Sequence, residues 1–130
     1  LEANNWAYVG LEALGADAAQ LFASSAARLL LPAGDPATHH ALILDGYQEG
    51  LRAAGVHGPA LREVGRWYDL AISLRWGVTQ FFWARHLTDA RRLRVLEERW
   101  WRRPYGRAAP ELARLDAFLD DLASPWTGVR

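Results

Sequence analysis

A helical pattern that starts at Gly58 and Pro59 and meets no further proline until Pro104 constrains this chain more than any other feature. Within it, Leu61, Val64, Tyr68, Ala71 and Val78 fall on one stripe, and Trp67, Leu70, Leu74 and Phe81 on its neighbour. Spacings of three and four are those of an amphipathic helix. Two adjacent apolar stripes predict a helix covered over a wide face, which would put it at the centre of the domain. Gly65 and Gly77 within it cost about 1 kcal/mol each relative to Ala, a cost that close helix–helix contact would offset.

Gly and Pro divide the rest. Leu1 to Gly15 lacks a clear period and reads as a strand end or loop leading into a helix. Asp17 to Leu31 is apolar on most sides, which predicts a buried helix stopped by Pro32, Gly34 and Pro36. Asp35 and Pro36 form a helix start, a capping carboxylate before a residue suited to the first turn. The helix that follows carries Leu42, Ile43, Tyr47, Leu51 and Ala54 and ends at Gly55. Thr88 and Asp89 open another, through Leu93, Leu96 and Trp100 to Pro104. A last helix is predicted from near Pro110, with Leu112, Leu115, Leu119 and Leu122 inward, stopping before Pro125. The expected fold is all-α, about five helices with a short strand remnant at the N-terminus, in one domain spanning residues 1–130.

Composition fits that reading. A chain of 130 residues, 51% hydrophobic with seven Trp, can bury one real core. Fifteen acidic residues balance fifteen basic ones, all Arg. No global field therefore steers it to nucleic acid or to a membrane. Without cysteine there can be no disulfide, thiolate nucleophile or Cys-ligated metal. No apolar run approaches a membrane span. Leu1 at the start, with no Met anywhere, leads us to expect an internal position of a longer protein.

One stretch resembles a known family. WAYVGLEALGADAAQL, from Trp6 to Leu21, is similar to a segment of aminoglycoside phosphotransferases and the wider choline-kinase-like group. There a strand ends in Ile-Asp-Trp, passes through a glycine-containing loop and enters a helix through Asp-Leu-Ala. Trp6 matches the Trp, Gly10 and Gly15 the loop glycines, and Asp17-Ala18-Ala19 the helix start. LDGYQEGLRAAG, from Leu44 to Gly55, looks like the family's Tyr-containing helix.

The resemblance implies the helical C-lobe of a protein-kinase-like fold. The intact parent would transfer the γ-phosphate of ATP, with magnesium, to a hydroxyl of an aminoglycoside-like or other small acceptor in the cytoplasm. A metal-binding Asp is expected where this chain has Asn5. The amide can ligate a cation but carries no charge, which lowers magnesium affinity. Asp17 would be the buried structural carboxylate that accepts hydrogen bonds from the catalytic loop, with Trp6 as packing; its alternative role is a helix N-cap. The family's His-Gly-Asp-x-x-x-x-Asn loop does not occur here, nor does a Gly-rich phosphate loop or a Lys. Alone, the chain is expected to be inert, its partner being the missing N-terminal part of the kinase domain.

Other constellations have plainer expectations. His39, His40, His57 and His86 lack zinc-site spacing and are expected on the surface. Asp45 with Glu49, and Glu97, Glu98, Asp120 and Asp121, are expected to be solvated helix surface. In RWWRRPYGR, from Arg99 to Arg107, one Trp should pack inward while Arg stems cover apolar surface. Trp67, Trp76 and Trp83 are expected in packing roles. The alternative function is a non-enzymatic bundle that binds a protein partner or itself through apolar surface near Trp6, Leu11 and Leu21.

Overall fold

A computed structural model describes residues 14–31 and 35–127, and every element in them is helical. In chain order these are α1 (Ala16–Ala27), α2 (Pro36–Ala53), α3 (Pro59–Leu87), α4 (Ala90–Val95), which runs on as a π-helical turn (Leu96–Trp101), and α5 (Tyr105–Thr127). The all-α expectation of about five helices holds. The expected N-terminal strand lies outside the described residues, as do Asn5 and Trp6.

The core forms where α1 and α5 meet α3. Ala18, Ala19, Phe22, Ala26 and Ala27 face Tyr68, Ile72, Trp76 and Trp83, with Leu112, Leu115 and Leu119 closing from α5. Four of the five α1 residues are Ala, so the two backbones can approach closely. Gly15, just before α1, has φ +99°, and a Cβ built on it would stand 3.0 Å from the Val64 carbonyl oxygen and 3.3 Å from Tyr68 Cβ. Only Gly satisfies both the positive φ and that contact.

α3 is central, but not in the way its two stripes predict. The buried line is Val64, Tyr68, Ile72, Trp76 and Trp83. Trp67, Leu74, Val78 and Phe81 are 42%, 65%, 72% and 78% exposed. The apolar surface goes nearly round the helix, and the small residues of α1 select the side that packs. Among the described residues, the close contact expected at the α3 glycines is also absent. A Cβ on Gly65 would meet only Leu44 Cδ2, at 3.7 Å, and one on Gly77 would meet nothing within 4 Å.

Helix ends follow local chemistry. Asp35 caps α2 by accepting from the Ala37 amide, and Asp89 caps α4 by accepting from the amides of Arg91 and Arg92. Those two amide bonds hold Asp89 below the usual carboxylate range. α2 ends as predicted at Gly55, φ +88°, where Val56 N–H donates to the Leu51 carbonyl and Gly55 N–H to that of Arg52. α1 uses the same motif four residues earlier than the sequence suggests. Leu29 takes the left-handed position, φ +54°, and the Leu30 amide donates to Ser25.

Two prolines do not end α5. It starts at Tyr105, five residues before Pro110, because the Glu97 carboxylate accepts from the Tyr105 amide at 2.8 Å. At the far end it continues through Pro125. Proline cannot donate to the Asp121 carbonyl four residues back, but the Ser124 hydroxyl does, at 2.9 Å. The π-helical turn has a packing reason. Leu96 and Trp101 are both buried, yet residues five apart on an α-helix diverge by about 140°. The wider turn brings them toward one face.

Gly15→Ala is expected to destabilise the fold by about 2–3 kcal/mol through overpacking and a left-handed Cβ, measured by denaturant unfolding. Gly65→Ala should stabilise it by about 0.5–1 kcal/mol, since the helix gains propensity and the methyl has room. Arg102, exposed at φ +53°, should also gain about 0.5–1 kcal/mol on substitution by Gly.

Candidate functional site

α2 has no fully buried residue, so polar contacts carry much of its docking. His40 faces inward: its Nε2 lies 2.8 Å from Asp69 Oδ1, and its side chain is 14% exposed. The ring packs edge-on against Phe22 and Phe118 and tilts over Tyr68. The Tyr68 hydroxyl donates to the His40 carbonyl at 3.3 Å. The surface position expected for His40 is therefore corrected. With one ring nitrogen committed to Asp69 and aromatic rings packed around it, His40 ties α2 to α3 and is poorly placed to reach a substrate proton. The histidine and its aspartate are 29 residues apart, so no local spacing could have revealed the pair.

About two turns further along α2, Tyr47 reaches the head of α1. Its hydroxyl accepts from the Gly15 amide at 3.3 Å and lies close to the Asp17 carboxylate. Burial, then the neighbouring Asp17 carboxylate, push the phenol above its ordinary value, against the lowering effect of the Gly15 amide. Asp17 is exposed in the first turn of α1, not buried as the resemblance implies, and its carboxylate accepts from the Ala18 amide at 3.0 Å. The cap position belongs to Gly15, which makes no side-chain cap bond. The N-cap alternative for Asp17 is thereby corrected. A carboxylate at the positive end of a helix, reachable from solvent and braced by Tyr47, can accept further N–H groups from an adjoining loop.

The remaining candidates are mostly structural. Asp45, Glu49, Glu98, Asp120 and Asp121 are exposed, whereas Glu97 departs from that expectation by capping α5. Trp101 is buried and donates from its indole to the Ala27 carbonyl, while Trp100 stacks on Phe82 beneath the Arg28 guanidinium. Arg103 pairs with Glu111 at 2.7 Å. The inward Trp expected in RWWRRPYGR is thus Trp101. Trp76 and Trp83 are in the core, and Trp67 is largely outside it. Trp76 donates to Asp116, but the buried Trp83 indole N–H has no acceptor among the described residues.

Among the described residues no three His, Asp or Glu side chains converge on a point that could hold a metal ion. No helix among them is long and apolar enough to cross a membrane. No family model matches the chain, and neither a curated protein nor a solved structure matches it significantly.

His40→Ala should cost about 2–3 kcal/mol, losing packing and leaving Asp69 without its partner. Hydrogen exchange should quicken most in α2. Burial also pushes Tyr68 well above the ordinary phenol range. Both tyrosines hold their protons more tightly folded than unfolded. Their contribution to stability is complete below about pH 10 and is lost as pH rises through the raised values. Tyr68→Phe should therefore flatten the alkaline fall in unfolding midpoint.

Proposed function

We propose that this chain is the helical C-terminal part of a cytoplasmic small-molecule kinase of the aminoglycoside-phosphotransferase and choline-kinase-like type. The intact protein moves the γ-phosphate of ATP to a hydroxyl of a small acceptor, with magnesium. The observation that carries the reading is the corner at the head of α1. A glycine with positive φ delivers Asp17 into the first turn of a helix whose Ala face lies on α3. A phosphotransferase needs such a rigid mount, because its catalytic loop must be held in one geometry by hydrogen bonds to fixed acceptors.

In this reading Asp17 is a positioning residue that accepts from the catalytic loop. Asn5 holds the sequence position of the family's magnesium-binding Asp, with an oxygen but no charge, and Trp6 that of its Trp. The helices after α1 form the wall of the acceptor pocket. The family's His-Gly-Asp-x-x-x-x-Asn loop, its Gly-rich phosphate loop and its Lys do not occur in this sequence, so in this reading those groups come from the N-terminal part of the domain.

A second reading has its own observation. Leu21, Leu30 and Leu42 are 57%, 60% and 64% exposed, apolar surface suited to a protein partner. Coding sequence upstream of Leu1 separates the two. An in-frame His-Gly-Asp-x-x-x-x-Asn within a few tens of codons is expected; a nearby stop codon would reject the kinase. The longer polypeptide should release ADP when given MgATP and a hydroxyl acceptor, and its Asn5→Asp variant should bind magnesium roughly tenfold more tightly. The 130-residue chain alone should give no calorimetric signal with MgATP.

A further inference from the structure

The side of α3 turned away from the core carries an ordered stripe. Glu63, Trp67, Leu70, Leu74, Val78, Phe81 and Arg85 follow one another at steps of four, three, four, four, three and four. At 100° per residue all seven lie within about 40° of one line along the helix. Leu70 is half-buried, and the other six are exposed. The order is the same read from either end. Leu74 is central, an aliphatic residue follows on each side, then an aromatic one, then a charge, acidic at one end and basic at the other.

A stripe with that symmetry complements itself when one copy is turned end for end. We propose that α3 pairs with α3 of a second copy of this chain, antiparallel, about a twofold axis at Leu74. Trp67 of each copy lies opposite Phe81 of the other, and Leu70 opposite Val78. Glu63 of each copy meets Arg85 of the other, so the contact carries two opposite-charge pairs at its rims. This is the isologous geometry in which one patch serves both partners. A parallel pair would set Glu63 against Glu63 and Arg85 against Arg85.

The contact spans roughly 33 Å of helix. Covering it removes on the order of 500 Å² per copy, a total at the lower bound of about 1,000 Å² for a specific interface. The dimer is therefore weak, with a dissociation constant on the order of 10 µM. The pairing is independent of the phosphotransferase reading, and either can fail without the other.

Sedimentation equilibrium of the 130-residue chain tests it. The wild type should show a reversible monomer–dimer equilibrium. Leu74→Asp should weaken it by about a hundredfold with unchanged helicity, because Leu74 is 65% exposed and outside the core. Glu63→Arg and Arg85→Glu should each weaken it roughly tenfold, two contacts being reversed per dimer, and the double variant should recover it. Glu63 also lies 3.9 Å from Arg66 within its own helix, but that exposed pair does not involve Arg85 and cannot produce the recovery. A wild type that stays monomeric would assign the stripe to another occupant and overturn the proposal. A dimer indifferent to Leu74→Asp would overturn it too, as would a double reversal that fails to restore pairing.

Discussion

The seam between α1 and α3 is the contact on which the other elements depend. Gly15 brings the chain against the Val64 carbonyl and Tyr68, and the Ala face of α1 then lies close along the buried line of α3. Close backbone approach packs many atom pairs at once, each worth little but large in sum. Phe22 enters the gap and is wholly buried. From there its ring meets Phe118 of α5 and His40 of α2, so the seam supplies the surface on which both later helices dock.

Polar contacts then decide orientation. α2 covers the assembly without burying any residue fully, and its rotation is set by His40 on Asp69 and Tyr47 on Gly15. Hydrogen bonds are directional where apolar contact is not, so a few of them fix one angle among several of similar apolar burial. The same arrangement braces Asp17 at the head of α1. The corner proposed to receive a catalytic loop is thus held by contacts from α2 and α3 as well as α1.

The face of α3 opposite the seam is a consequence of its strongly apolar sequence. One side suffices to bind α1 and α5, and the other remains available. Trp83 shows a different kind of residue. Its ring fills the core between Trp76 and Trp101, while its indole N–H finds no acceptor among the described residues. Packing volume outweighs a lost hydrogen bond at that position.

The number of helices and most of their boundaries were legible from residues alone, because capping and turn chemistry are local. Asp35 with Pro36, Gly55, Gly58 with Pro59, and Asp89 each act on neighbours a few residues away. So was Gly15, as a break before α1, though not its contact with Val64. Where a distant group intervened, local reading failed: Glu97 starts α5 ahead of Pro110, and the side of α3 that faces inward is chosen by α1. The candidate corner was half visible. Asp17 stood out by its place in a motif, whereas Tyr47 bracing it, and His40 meeting Asp69, join residues some thirty positions apart. Sequence determined which segments would coil and which residues could be apolar partners. Tertiary packing alone decided which faces met, since periodicity records that a face is apolar and carries no label for what will cover it.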